Sequence, residues 1–193
     1  ASSVDASAPH TSVLAASVKQ FTSQFLSSTD IHSLTALLAP ESRKNILQGY
    51  FAALAALESR VAPAEVPRPP PSALLEAAKA GKASIYGLFG GQGTNEVYFA
   101  ELKSLYDIYK PYVLELVTRV TKDVLIPAAA KATDVDGFNY YSHGLDVLSW
   151  LEGPEEAVPP VEYLASIPIS FPLIGLTQLA QYFVAVRVSN LTP

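Results

Sequence analysis

The chain of 193 residues has no cysteine, which excludes disulfides, thiolate zinc sites and a cysteine nucleophile. It leaves the compartment open, with a lean toward the cell interior. Charge is sparse: Asp, Glu, Lys and Arg make up 16% of the sequence, against about 25% in an average soluble domain. The 13 Lys and Arg residues form no run and the net charge is −5, so no basic footprint for nucleic acid exists. A basic, then apolar, then small-residue leader is also missing, so no secretory signal is expected. Asn190-Leu191-Thr192, which matches a glycosylation acceptor, is then read as coincidence. The three histidines, His10, His32 and His143, are far apart and show no metal-ligand spacing. None of the ten glycines opens the G-x-S-x-G pattern of a serine elbow. Ser142 and His143 are neighbours, and on a helix neighbours point about 100° apart, too far to act as nucleophile and base. His143 is read as structural.

Apolar residues, by contrast, make up 49% of the chain, and mean hydropathy is +0.23. That surface needs more cover than one small globule provides, so the chain is expected to be a segment of something larger. The most apolar stretch, Phe171 to Leu191, has the length of a membrane span but carries Gln178, Gln181 and Arg187. A buried helix is the expectation, with Leu173, Ile174, Leu176, Leu179, Tyr182, Phe183, Val186 and Val188 nearly encircling its axis, and no membrane partner.

Three regions are expected. Residues 1–60 read as a small helical bundle. Leu14, Val18, Phe21 and Phe25 share one helical face, Thr29 and Asp30 offer side-chain oxygens to cap a second helix through Leu34, Leu37 and Leu38 that Pro40 stops, and Ser42 to Arg60 forms a third. Residues 61–72 hold five of the 15 prolines and read as an extended linker. Residues 73–193 then form the main domain. It opens with a helix over Ser72 to Ala80, with Gly81 taking the left-handed position. Ser84 to Phe89, SIYGLF, reads as a strand buried in a parallel sheet. The glycine-rich stretch follows and leads into a long helix broken near Lys110 by Pro111. Further helices are expected over Pro111 to Lys131 and Tyr140 to Leu151, a short turn over Pro160 to Ser166, and a last helix from Phe171 or Pro172 to Ser189.

Phe89 to Thr94, FGGQGT, is the one local feature with a chemistry attached. Glycines at the carboxyl end of a strand leave backbone N–H groups unobstructed, and such donors can hold an oxyanion. They also make an ordinary tight turn. A phosphate loop would need Lys and Ser or Thr after its last glycine, and a dinucleotide fingerprint would need glycine where Glu96 stands.

Three blocks, IYGLFGGQGTNEVYFAELKSLYDIY, YYSHGLDVLSWLEG and YLASIPISFPLIGLTQLAQYFV, occur in the order found in the N-terminal acyltransferase region of the fungal type I fatty acid synthase β subunit, which the chain resembles from about Ser12 to Pro193. The resemblance implies an α/β class, mostly helical in this portion, as the front part of an acyl-CoA:ACP transacylase fold with an α/β-hydrolase-like core. It implies a backbone oxyanion donor at Gln92, with Gly90, Gly91 and Gly93 shaping the substrate site. The family's catalytic serine, in a G-H-S-Q-G elbow, and its histidine base do not occur in this sequence. Implied too are a coenzyme A thioester as substrate, no cofactor or metal bound by this segment, and phosphopantetheine on an acyl carrier protein as acceptor. The implied partners are the remainder of the β subunit, the α subunit and the carrier domain, in a large cytoplasmic hetero-oligomer. The equivalent segment of a specialised starter-acid synthase and a non-catalytic helical scaffold remain alternatives.

Overall fold

The computed structural model describes residues 8–90, 97–136 and 139–189. Among them the regular structure is entirely helical. The chain forms two compact units, Ala1–Ile85 and Tyr86–Pro193.

In the first unit, α1 (Ala8–Phe25) packs against α3 (Pro40–Glu58). Leu47, Phe51, Leu54 and Leu57 recur at helical spacing and are buried. On α1 the buried positions are Val18 and Thr22, followed by Leu26 just past the helix, while Phe25 turns outward. The short α2 (Ile31–Leu34) starts where Asp30 caps it: its carboxylate accepts the backbone N–H groups of His32 at 2.9 Å and Ser33 at 3.0 Å. This helix ends at Leu34 rather than continuing to Pro40, and Leu37 is 99% exposed. Pro40 begins α3 instead of stopping its predecessor, because a first-turn residue needs no N–H and the ring already sets a helical φ.

The proline-rich stretch 61–72 is tied into this unit. Its Val66 is buried and Arg68 pairs with Glu58 of α3. The division between units falls after Ile85, beyond the boundary expected from composition. A side-chain anchor and an ion pair suffice to hold a stiff segment that lacks ladder hydrogen bonds. After it, α4 (Ala73–Lys79) is capped by Ser72 and ends at Gly81, whose φ of 69° is the left-handed value anticipated for it.

Asp30 gives this unit an acid sensitivity. The Ser33 hydroxyl, at 2.6 Å, leads the interactions that hold its carboxyl below the ordinary value, helped by the capped N–H groups. A carboxyl depressed in the folded state stabilises above its unfolded value and loses that contribution as pH falls through the folded one. Asp30→Asn keeps a capping oxygen but does not titrate, so the decline in Tm between pH 6 and pH 3 should be shallower in the variant. Parallel declines would remove Asp30 from the account.

The second unit is built on the pairing of α5 (Tyr98–Val120) with α9 (Ile167–Val188). From α5, Leu102, Tyr106, Tyr109, Val113 and Val117 form one buried stripe; from α9, Ile169, Leu173, Leu176, Ala180 and Val184 meet it. Pro111 lies inside α5, and the expected break takes the form of a kink at Tyr109, with φ −112° and ψ 24°, in a continuing helix. Below it the helix widens into a π turn, Thr121–Leu125, before α6 (Ile126–Asp136). Residues 140–143 form a turn, so the helix expected over Tyr140 to Leu151 is confined to α7 (Val147–Glu152). The Asp146 side chain accepts the Ser149 N–H and fixes that late start. The turn expected over Pro160 to Ser166 contains α8 (Val161–Ala165).

Gly153 ends α7 by steric need. A Cβ there would lie 2.6 Å from the Ser149 carbonyl oxygen and 3.1 Å from the Ala157 methyl. Gly153→Ala should therefore destabilise the unit by about 1–3 kcal/mol, measurable by urea denaturation. An unchanged midpoint would show that the turn can shift freely.

Two expectations are corrected. Ser84 to Phe89 forms no strand: Tyr86 is 82% and Leu88 94% exposed, and no described segment is a strand with which it could pair. β structure needs a neighbour for its backbone groups, whatever the side-chain propensity. Nor is α9 buried all round. Phe171, Leu179 and Tyr182 are exposed on its open side, since α5 and α8 cover only part of it.

Candidate functional site

The expected oxyanion donor Gln92 and its neighbours Gly91 and Gly93 lie outside the described residues. The groups that flank them are described. Before the stretch, Gly90 offers its carbonyl to the side-chain amide of Gln178, which donates from Nε2 at 2.7 Å. The ring of Phe89 sits 6.2 Å from that of Tyr182, centroid to centroid. After the stretch, the chain enters α5, where Gln181 Nε2 donates to Glu101 Oε1 at 2.5 Å. The Thr177 hydroxyl donates to the Leu173 carbonyl at 2.7 Å, with the Tyr98 carbonyl as a longer second acceptor at 3.3 Å. Both flanks of 91–96 are thus held by one turn of α9. From the sequence, Gln178 and Gln181 register only as polar interruptions of an apolar run. Their spacing of three residues is the signal available, because it places both amides on one helix face.

His143 lies in the turn before α7 with its ring edge-on to Tyr163, 4.8 Å between centroids. The Tyr163 hydroxyl donates to the Gly144 carbonyl at 2.6 Å, so this cluster fixes the turn. His32 is half-buried, and loss of hydration holds its pKa below the ordinary value. Its ring lies 5.9 Å from Phe51, which marks it as a packing residue. No group of three His, Cys, Asp or Glu side chains able to hold a metal occurs among the described residues.

Glu152 gathers the strongest polar cluster. Its Oε1 accepts the Tyr106 hydroxyl at 2.7 Å and the Lys110 ammonium at 2.6 Å, while Lys103 Nζ donates to the Leu151 carbonyl at 3.0 Å. The hydrogen bonds from Lys110, foremost, and Tyr106 lower the Glu152 pKa, and burial together with the carboxylate pushes Tyr106 well above its ordinary value. Two cations at the carboxyl end of α7 complement its exposed carbonyls and bind it to α5. A tyrosine held protonated against an ionised carboxylate is poor acid-base machinery at neutral pH. The cluster is a structural pin.

Cavities open to solvent occur in both units among the described residues. One, about 700 Å³ in the first unit, is lined by Lys19, Thr22, Val66 and Arg68 among others; the second, about 290 Å³, lies between α6 and the turn before α7, beside Ala129, Tyr141 and Asp146. Neither is lined by Phe89 or Gly90.

The family described as the N-terminal domain in fatty acid synthase subunit beta matches residues 1–57. Over most of its length, the chain is 38% identical over 182 residues to fatty acid synthase 2 of Mycosarcoma maydis, covering 94% of this chain and 5% of that protein. The chain belongs to the fungal fatty acid synthase β-subunit family, at its N-terminal region. A β subunit of Emericella nidulans is 40% identical over 166 residues, 85% of this chain and 7% of the relative. The β subunit of Saccharomyces cerevisiae is 35% identical over 189 residues, 94% of this chain and 9% of the relative. The chain therefore spans less than a tenth of the length of these relatives. Similarity extends through most of the chain, well past the residues matched by the family profile.

A fatty acid synthase segment with this composition rationalises the exposed apolar surface. Ile85, Leu88, Phe89, Phe171 and Leu179 are all exposed. α9 is also long and apolar enough to cross a membrane, although half of its most apolar window is buried within the second unit. In a subunit-sized relative, surface of this kind has far more chain available to cover it.

Proposed function

We propose that this chain is the front of the acetyl-CoA:ACP S-acetyltransferase domain of a fatty acid synthase β subunit, and that it supplies half of the oxyanion site. The observation that carries the proposal is FGGQGT, placed directly after the apolar residues SIYGL, with the carbonyl of its Gly90 tied to α9. In this reading the remainder of the subunit completes the α/β-hydrolase-like core around the helices of the second unit. The backbone N–H of Gln92 then points toward the reacting carbonyl, and Gly90, Gly91 and Gly93 keep side chains out of the way.

The reaction proceeds in two balanced halves. A serine Oγ, on the elbow that the family carries outside this chain, attacks the acetyl thioester carbonyl as a histidine takes its proton. The tetrahedral oxyanion is stabilised by the Gln92 N–H; collapse forms the O-acetyl serine and expels coenzyme A, which receives the proton. In the second half the phosphopantetheine thiol of the carrier attacks that ester, giving the carrier thioester and restoring the serine. Donors preorganised at the oxyanion act where charge develops and need no reorganisation during the step. No metal or bound cofactor enters either half.

The test uses the assembled synthase and acetyl-labelled coenzyme A. Acid quenching and digestion should recover label as an ester on one serine of a G-H-S-Q-G peptide, and replacing that serine should abolish loading of the carrier. Carrier loading that persists without an ester intermediate would overturn the proposal.

A further inference from the structure

We infer, from the first unit alone, that its proline-rich segment is a latch: it clasps α1 to α3, and the cavity between the segment and α1 opens when the Glu58–Arg68 pair releases. Three elements meet at this place. The cavity, about 700 Å³, has Lys19, Thr22 and Ser23 of α1 on one side and residues 64–68 of the segment on the other, while Arg68 reaches past it to Glu58 at the end of α3. Burial raises the pKa of the Tyr50 hydroxyl on α3, and the Thr22 hydroxyl and the Arg68 charge draw it back, which places all three groups together. The Thr22 and Tyr50 hydroxyls are buried there without a well-formed hydrogen bond. A hydroxyl from each helix and a guanidinium from the segment thus converge on one spot beneath the latch.

Packing explains why α1 needs a clasp. Among its described side chains only Val18 and Thr22 are buried, with Leu26 just beyond and Phe25 facing solvent, so its own hold on α3 is thin. Prolines suit the clasping role, because their φ is fixed before docking and the extended segment loses little conformational freedom when it binds. Its backbone adds few tethers: the Glu65 N–H donates to the Ala62 carbonyl at 2.8 Å and the Val66 N–H to the Pro63 carbonyl at 3.4 Å, both within one local turn. Attachment therefore depends on the buried Val66 and on Arg68. The Glu58 and Arg68 side chains are only 23% and 22% exposed, so removing one charge leaves the other poorly solvated and the latch loses its fastening.

The chain has no cysteine, so Thr22→Cys introduces a single reporter thiol at the cavity wall. Maleimide labelling of that thiol is measured in the full chain with and without Glu58→Gln, which keeps the size of the side chain and removes its charge. Amide exchange is measured with Thr22 intact, and so stands even if the cysteine disturbs the unit. In Glu58→Gln, labelling should be about tenfold faster, and exchange about tenfold faster in both 61–68 and 18–26, with 47–54 of α3 unchanged. Exchanging the charges, Glu58→Arg with Arg68→Glu, should return these rates to within about threefold of the wild type. Unchanged rates in Glu58→Gln would show that the pair fastens nothing. Faster exchange confined to 61–68 would remove the clasp on α1, and equal acceleration in 47–54 would make the effect a general loss of stability; either result overturns the latch. Absence of rescue in the charge-exchanged protein overturns the role given to the ion pair.

Discussion

Replacing Gln92 by proline in the assembled synthase is expected to lower acetyl transfer by about 10²–10³, the usual loss on removing one oxyanion donor. Proline has no N–H, so the substitution deletes the group assigned to catalysis while adding no charge. Gln92→Ala keeps the N–H and should cost far less. The pair separates backbone from side chain, provided both proteins show the wild-type helical ellipticity. Equal losses in two folded variants would place the activity in the amide side chain and overturn the assignment.

Trp150→Ala is expected to destabilise the second unit by about 3–5 kcal/mol, the range for emptying a buried aromatic site. Trp150 is buried on α7 and stands edge-on to Phe99 of α5 at 6.2 Å and to Tyr163 of α8 at 6.3 Å. One indole thus joins three helices. α7 has only six residues and little stability of its own, so its attachment depends on Val147, Trp150 and Leu151 with the Glu152 pin. Trp150→Phe keeps most of the apolar volume and should cost less than half as much. Urea unfolding followed by ellipticity reads both, and a loss below about 1 kcal/mol in Trp150→Ala would mean that α7 contributes little to the unit.

The two predictions lie on different links of the same chain of causes. Trp150 acts on stability, through packing that fastens α7 to α5. In the proposed reading Gln92 acts on the transition state, through its backbone N–H. A loss of activity in Trp150→Ala accompanied by a lower unfolding midpoint would be structural; a loss in Gln92→Pro at an unchanged midpoint would be chemical.

The helices with local signals were legible. Asp30 and Gly81 announce ends through chemistry that acts within three residues, and each sits where its side chain or conformation predicts. Pro111 was legible as a disturbance, but not as a kink in a helix that continues, because the packing of α5 on α9 outweighs one missing hydrogen bond. The stretch from Tyr140 misled because its aromatic and apolar residues fit a helix by composition. The Tyr163 hydroxyl on the Gly144 carbonyl, a contact from 19 residues away, helps to hold the turn there.

By itself the sequence determined the mostly helical character of the chain, the Asp30 cap, the helix end at Gly81 and, through three ordered blocks, the fatty acid synthase family. Those properties depend on residue type and short spacing. Tertiary structure decided the rest. It drew the proline-rich stretch into the first unit through Val66 and Arg68, left one side of α9 open, and kept Ser84 to Phe89 out of a sheet. It also turned Gln178 and Gln181 from interruptions of an apolar run into the contacts on either side of the glycines. The physical reason is common to all of these: a backbone carbonyl, a strand edge or an apolar face is satisfied by a partner distant in sequence, and only the folded chain specifies which partner arrives.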